Sequence, residues 1–347
     1  MNTFDMRYLG VAADMAGCPN RCRHCWLGAH RNGHMSIDDM REIAAAFRGW
    51  RDEHGRGIAE LGFFTWWREP DFRDDYRELW ALEQELSDPG RAERFELLST
   101  WRLARDASYA RWAATLPPQV CQITFFGMEQ TTDWGMRRPG AFRDQLAATR
   151  RCQAVGITPR WQLFLTKRCL PELPDFLKLI REYRISSFFI GGIDPEGCGY
   201  ELEDERIERD DLRYIPAELI ALSRDGLDLL GQPECELLPK LFADDSPPNI
   251  SANFPCLFVD ADFDVYPNIA EPAPWWRLGN FRRDGVDAVM HAYRDGKTPG
   301  MTASRTIPTA DFARRYGNLN SSKLYDKSDL ICRFLHRWGE DHMEGIK

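Results

Sequence analysis

The chain has 347 residues, a net charge of −9, 43% hydrophobic and 29% charged residues. That length suits one barrel-sized core plus an extension, and the negative balance argues against a protein that grips nucleic acid through clustered positive charge. No run nears the roughly 18–20 apolar residues of a membrane span, and the N-terminal stretch MNTFDMRYLGVAAD lacks a basic region ahead of an apolar one, so a cytoplasmic protein with no membrane partner is expected.

Strand and helix alternate through the first two-thirds of the sequence. An apolar run over 6–14 predicts a first strand. Ser36 with Asp39 three positions on has the form of a capping box, and Met40, Ile43, Ala44, Phe47 and Trp50 then recur on one helical face. Residues 58–65 read as a second strand and 71–86 as a helix with Phe72, Tyr76, Leu79 and Leu86 inward. A third strand is predicted at 95–100, a short helix near 105–115, a fourth strand at 120–127 and a helix over 140–155. A fifth strand at 158–166, a helix over 172–183 and a sixth strand at 186–192 complete the series. Six such units in succession need helical crossovers and hence a parallel sheet. The expected fold class is α/β: a partial (β/α)6 parallel barrel over 1–200, with a smaller α+β extension over 201–347 serving as lid and substrate pocket. Six strands leave an edge open where eight close, and the chemistry of such barrels gathers at the carboxyl ends of the strands. The charge run Glu201–Arg213 reads as a solvated linker or helix face, and one or two helices, among them 326–338, are expected near the end.

Ten irregularly placed cysteines suit a reducing compartment and metal chemistry better than a disulfide framework. Three of them, Cys18, Cys22 and Cys25, stand in Gly17-Cys-Pro-Asn-Arg-Cys-Arg-His-Cys-Trp26 and put three thiolates on one tight loop. An ordinary [4Fe–4S] cluster has four cysteine ligands. A loop that offers three grips three corners of the cube and leaves one iron open for a small molecule. A zinc knuckle would bring a second C-x2-C pair or histidines at a set spacing, whereas only Cys22 and Cys25 form such a pair.

This C-x3-C-x2-C loop resembles that of the radical S-adenosylmethionine (radical SAM) superfamily, whose open iron is chelated by the amino and carboxylate groups of SAM. The resemblance spans roughly residues 6–195. It implies a [4Fe–4S] cluster on Cys18, Cys22 and Cys25, SAM as the second cofactor, and His24, just before the third cysteine, near the adenine. The family's Gly-Gly-Glu-Pro-like turn after strand two, which holds SAM's amino group, corresponds to Trp66-Trp67-Arg68-Glu69-Pro70. Glu69 and Pro70 match, while Trp67 and Arg68 replace the glycines. Ser99-Thr100-Trp101 replaces a Thr-Asn-Gly turn. Thr124 takes the place of a hydroxyl that helps bind the ribose, Arg138 that of the family's arginine, and Gly191 lies at the last strand end. Farther on, Cys256 followed by a strand, Tyr266-Pro267-Asn268 and Leu278-Gly279-Asn280 resembles a SPASM or twitch extension. Asn268 stands where a ligand cysteine belongs, and Cys198, Cys235, Cys256 and Cys332 are scattered, so the scaffold is expected without its auxiliary clusters.

The resemblance implies an enzyme that cleaves SAM reductively to methionine and a 5′-deoxyadenosyl radical, which then abstracts hydrogen from a substrate. The electron would come from a carrier such as flavodoxin or ferredoxin. Without auxiliary clusters the reaction is expected to be redox-neutral, such as an epimerisation, with a thiol as hydrogen donor: Cys256 and Cys235 are the candidates, and Cys121 a third. A cysteine loop beginning at residue 18 leaves no room for a leader-binding module before the barrel. That favours a small-molecule substrate, an aminosugar, aminoglycoside or nucleoside intermediate. Asp194, Glu196 and the 201–211 run would form an acidic pocket, and one or two of Trp66, Trp67, Trp101, Trp134 and Trp161 would line it. The alternatives are a peptide-modifying maturase or dehydrogenase with an atypical auxiliary cluster and, in another class, a degenerate protein that binds cluster and SAM without turnover.

Overall fold

A computed structural model describes residues 7–13, 17–25, 27, 32–33, 35–65, 69–91, 98–117, 119–193, 197–250, 255–267 and 272–343. β1 (Tyr8–Ala13) leads into the cysteine loop. Ser36 caps α1 (Ile37–Gly49): its hydroxyl accepts from the Asp39 amide while the Asp39 carboxylate accepts from the Ser36 amide. Met40, Ile43, Ala44 and Phe47 are the buried face of α1, as their spacing requires. β2 (Glu60–Phe64) and α2 (Tyr76–Leu86) follow. The helix begins at Tyr76 rather than at 71 because Asp71 takes a left-handed φ of 57°, which bends the chain before it.

The strand predicted at 95–100 is not found where it can be seen. Residues 92–97 lie outside the described segments, and Ser99 is instead the N-cap of α3 (Thr100–Arg105), its hydroxyl accepting from the Arg102 amide. α4 (Ala107–Ala113), β3 (Val120–Phe125), α5 (Glu129–Met136), α6 (Ala141–Val155), β4 (Thr158–Phe164), α7 (Leu173–Glu182) and β5 (Ser187–Gly191) then follow as predicted, except that α5 is an additional helix the sequence reading did not foresee. The C-terminal part holds α8 (Ala217–Leu222), β6 (Gln232–Pro233), α9 (Glu234–Leu241), β7 (Cys256–Val259), β8 (Asp264–Pro267), β9 (Gly279–Asn280), α10 (Phe281–Asp295), α11 (Pro299–Thr306), α12 (Thr309–Tyr316), β10 (Leu324–Tyr325) and α13 (Lys327–Met343). The charge run folds into two 3-10 helices, Gly197–Glu205 and Arg209–Tyr214. It is not a solvated face throughout: Arg206 is 3% exposed and donates to the carbonyls of Ile193 and Leu324.

β3, β4 and β5 form one parallel sheet, and β2, β1, β7, β8 and β9 lie in that order in another. β1 pairs in parallel with β2 on one side and β7 on the other, so a strand from the C-terminal part covers the edge expected to be open. The architecture is an open α/β partial barrel whose β2–β1–β7 and β3–β4–β5 pairings are parallel, with β8 and β9 added antiparallel beyond β7. Gly10 faces Cys256 in the β1–β7 register, and a Cβ at Gly10 would meet the Cys256 sulfur at 3.1 Å. Along β3 and β4 the pattern alternates strictly. Cys121, Ile123, Phe125, Trp161 and Leu163 are buried toward the helices, whereas Gln122, Thr124, Gln162 and Phe164 turn inward, half-buried. Among the described residues no helix is long and apolar enough to cross a membrane.

Glu83, fully buried on α2, ties down the end of β2, accepting from both the Thr65 amide (2.7 Å) and the Thr65 hydroxyl. Replacing it by alanine leaves those donors without that acceptor. Glu83→Ala is expected to lower unfolding stability by about 2–4 kcal/mol in urea titrations; a change under about 0.5 kcal/mol contradicts this assignment.

Candidate active site

The cysteine loop is too short to hold its own shape and is tied to neighbours at nearly every residue. The Cys18 amide donates to Asn32 Oδ1 (3.0 Å), and Asn32 Nδ2 returns a bond to the Cys18 carbonyl (3.0 Å). The Asn20 amide lies 3.4 Å from Cys18 Sγ, a donor aimed at the sulfur. The Arg21 and Arg23 amides donate to the carbonyls of Met136 (3.2 Å) and Gly135 (2.8 Å). Arg23 Nε reaches the carbonyl of Trp134 (3.2 Å). Residues 134–136 are the last turn of α5, whose carbonyls have few partners within the helix. Arg138 fastens the same loop from the other side, donating from Nε to Asn20 Oδ1 at 2.6 Å.

Cys18, Cys22 and Cys25 line one cavity of about 570 Å³ at the carboxyl ends of the strands, together with His24, Glu69, Pro70 and Thr124. A larger hollow, about 770 Å³, runs along α5 past Arg137 and Arg138 but touches none of the three thiols. Among the described residues no three Cys, His, Asp or Glu side chains converge as a single metal ion requires. Burial, followed by the neighbouring Cys18 and Cys25 thiols, pushes the Cys22 thiol well above its ordinary pKa. His24 packs between Phe126 and Phe164, with ring centroids 4.9 and 4.4 Å away. Burial lowers its pKa to about 4, so the ring is neutral at pH 7, and its Nδ1 has no hydrogen-bond partner.

Glu69 is 9% exposed, and its burial raises the carboxyl above the usual range. Opposing that, the Ser99 hydroxyl (2.8 Å) and the Trp101 amide (3.1 Å) both donate to Oε1. Ser99 is held in turn: its amide donates to the Tyr109 hydroxyl (3.0 Å), which donates to Asp71 Oδ2 (2.6 Å). Ser99 therefore serves the site through Glu69 and does not itself line the cavity. Gly191 also stands behind the wall, beside Gln162, while Gly192 lines it. Arg138 does not line the cavity, and Arg68, like Trp66 and Trp67, lies outside the described residues.

Neither expected hydrogen donor lines the cavity. Cys256 opens β7, packed against Gly10 within the sheet, 2% exposed and with its pKa pushed up to about 12 by burial. Cys235 sits on α9, its amide bonded to the Ser321 carbonyl. Cys121 is wholly buried and faces Cys152. The described tryptophans of that set are also elsewhere: Trp161 is in the core, Trp101 packs on Phe72, and the guanidiniums of Arg23 and Arg168 both lie against the Trp134 ring. Phe164 is the aromatic at the wall. Asp194 and Glu196 lie outside the described residues, and Glu201 pairs with Arg23 and Arg137 rather than facing the cavity. Sequence reading missed Gln122, Gln145 and Gln162, which share the wall, and Leu229 and Asp329, which the C-terminal part contributes. No signal within one strand marks Gln122 and Gln162, since Thr124 on β3 and Thr158 and Arg160 on β4 are polar as well.

No family model and no curated protein matches the sequence. Among solved structures, anSMEcpe with bound AdoMet and Cp18Cys peptide is similar at TM-score 0.52 and 12% identity, over 98% of both chains. The AdoMet complex of anSMEcpe gives TM-score 0.53 and 11% identity over 97% of this chain and 98% of that one. Streptococcus suis SuiB bound to S-adenosylmethionine gives 0.51 and 15%, over 86% of this chain and 68% of that one. The chain shares the fold of these structures. At these identities the likeness concerns the fold alone, and the site must be argued from its own residues.

Three thiols lining one cavity fit a metal cluster on the chemistry of the donors, since coordination removes the proton that burial holds on Cys22. Iron uptake by the three-cysteine site therefore rises with pH, because the raised Cys22 pKa keeps the apo thiol protonated; uptake that is flat or falls between pH 6.5 and 8.5 contradicts this. At Gly135 a Cβ would stand 2.4 Å from the Phe126 ring. Gly135→Ala is expected to cost about 1–3 kcal/mol in thermal unfolding and to weaken iron retention, and unchanged values in both measurements contradict the anchoring role of this turn.

Proposed function

We propose that this protein is a radical SAM enzyme, carried by one observation: Cys18, Cys22, Cys25, His24, Glu69 and Thr124 converge on a single cavity at the strand ends. Cys18, Cys22 and Cys25 would hold the [4Fe–4S] cluster through three irons. Glu69, buried and short of compensating charge, would receive the ammonium of SAM; a cation beside it lowers the raised pKa and favours the carboxylate. Thr124 would take a ribose hydroxyl, and the neutral His24 ring the adenine. When bound, the pair of cofactors supplies one-electron cleavage of SAM to methionine and a 5′-deoxyadenosyl radical, which takes a hydrogen atom from the substrate. The chain's part is to hold SAM, orient the target hydrogen and exclude water. Phe164 makes the wall beside His24 apolar, with Phe126 packed on the His24 ring, and Leu229 and Asp329 bring the C-terminal part to the cavity. The electron would come from a low-potential carrier such as flavodoxin or ferredoxin.

The cavity, within the usual range of about 300–1,000 Å³ for small-ligand sites, must take SAM and the reacting part of the substrate together. Only a compact group enters beside SAM. A small molecule satisfies this. A redox-neutral outcome remains part of the proposal, but a thiol donor at Cys256 or Cys235 does not, since neither reaches the cavity. A second reading, a peptide substrate inserting one side chain, is favoured by the peptide bound in the anSMEcpe structure.

Anaerobically reconstituted protein given dithionite and SAM is expected to release 5′-deoxyadenosine, with Glu69→Gln reducing SAM affinity about tenfold, the scale of one lost charge-assisted bond. No 5′-deoxyadenosine from protein that retains iron and binds SAM would instead identify a scaffold without turnover. Stimulation of that release by aminosugars, and not by peptides, supports the small-molecule substrate; the reverse supports the peptide.

A further inference from the structure

Gln122 and Gln162 alternate with the core residues of β3 and β4 and so face the inside of the half-barrel. The parallel register sets Thr124 opposite Gln162 and brings both glutamines to one patch of the cavity wall. Gln122 Nε2 donates to Gln162 Oε1 at 2.8 Å, and Thr124 Oγ1 approaches the same oxygen at 3.4 Å, which uses its two lone pairs. The remaining halves of the two amides are not used within the protein. Among the described residues, Gln162 Nε2 has no acceptor and Gln122 Oε1 no donor, and neither atom is sealed from the cavity. The wall thus presents one donor beside one acceptor. Turning both amides over exchanges the roles of the two residues and still leaves one of each.

Gly191 explains why the Gln162 amide can lie where it does. A Cβ at Gly191 would stand 3.3 Å from Gln162 Nε2, tight enough to push the amide aside. Among the described residues no charged side chain hydrogen-bonds Gln122 or Gln162. The charged lining groups are Arg21 and Glu69, near the cysteine loop, and Asp329 from α13.

We propose that Gln122 and Gln162 form a recognition dyad for a neutral group carrying an N–H beside a carbonyl-like acceptor: an amide, a lactam or the edge of a nucleobase. An unpaired amide donor and acceptor in a cavity favour a ligand that satisfies both and disfavour one that leaves either desolvated and empty. The chemistry has two sources, the substrate and the adenine of SAM. The substrate is the favoured one. Gln162 lies two positions before Phe164, whose ring meets His24 beside the thiols, so the dyad is deeper in the half-barrel than the cysteine loop. This inference rests on the radical SAM reading of the same cavity and names the substrate class that reading leaves open.

The test uses reconstituted, SAM-loaded protein and two fragments of one shape: 2-pyrrolidinone, with N–H and C=O side by side, and γ-butyrolactone, in which oxygen replaces the N–H. Saturation-transfer NMR is expected to show binding of the lactam about five-fold stronger than of the lactone, the scale of one hydrogen bond. Gln162→Leu and Gln122→Leu are each expected to abolish that contrast while SAM affinity by titration calorimetry stays within about twofold. Equal binding of the two fragments by the wild-type protein, or a contrast that survives in both variants, overturns the dyad. A loss of SAM affinity of about tenfold in either variant assigns the dyad to adenine and overturns the substrate assignment. The fragment contrast is read in the wild type, so a variant that does not fold leaves the proposal refutable. A wild-type protein that shows the contrast but binds no SAM refutes the enzyme reading and leaves the dyad standing.

Discussion

The site depends on the last turn of α5. Helix ends leave carbonyls without partners, and here those of Trp134, Gly135 and Met136 receive groups from Arg21 and Arg23, the residues between the cysteines. These bonds add to the loop's own, among them the Cys25 amide to the Cys22 carbonyl (3.1 Å) and Arg21 Nη1 to the Cys18 carbonyl (2.9 Å), in holding three thiols in one arrangement. Gly135 is part of the same device, since Phe126 lies where its side chain would be, and Phe126 in turn positions His24. A helix end, an aromatic contact and a glycine therefore fix the cysteines before any metal is considered.

Around that anchor the polar groups share one electrostatic condition. Burial moves Cys22 and Glu69 upward and His24 downward, each away from its charged form. A cavity in which Cys22, Glu69 and His24 are each held toward neutrality favours a cationic occupant for the two acids and a neutral one for the imidazole. A metal cluster, an ammonium and an adenine ring meet those three demands in that order. The C-terminal part supports this geometry by entering the sheet through β7 beside β1, the strand that delivers the cysteine loop.

Much of this was legible in the sequence where the signal is local. The Ser36–Asp39 capping box and the strands at β3 and β4 are signalled by a few adjacent residues, and the fold realises both, while the three closely spaced cysteines come to line one cavity. Non-local outcomes were not legible. Cys256 looked available as a hydrogen donor because nothing in its neighbourhood shows that β7 pairs with β1 and buries it against Gly10. Ser99 looked like a strand end but caps a helix, because an apolar run followed by Ser-Thr fits both. The glutamines of the wall are visible only once two strands are set in register, since each alone is one of several polar residues in its strand.

The central claim is that three thiols hold a cluster whose open iron is bound by SAM. The most direct measurement is the electron paramagnetic resonance spectrum of the dithionite-reduced, anaerobically reconstituted protein, recorded with and without SAM carrying 15N in its amino group. The account predicts a reduced-cluster signal whose shape changes on adding SAM and which shows hyperfine coupling to that nitrogen. A cluster signal indifferent to SAM, with no nitrogen coupling, would contradict it.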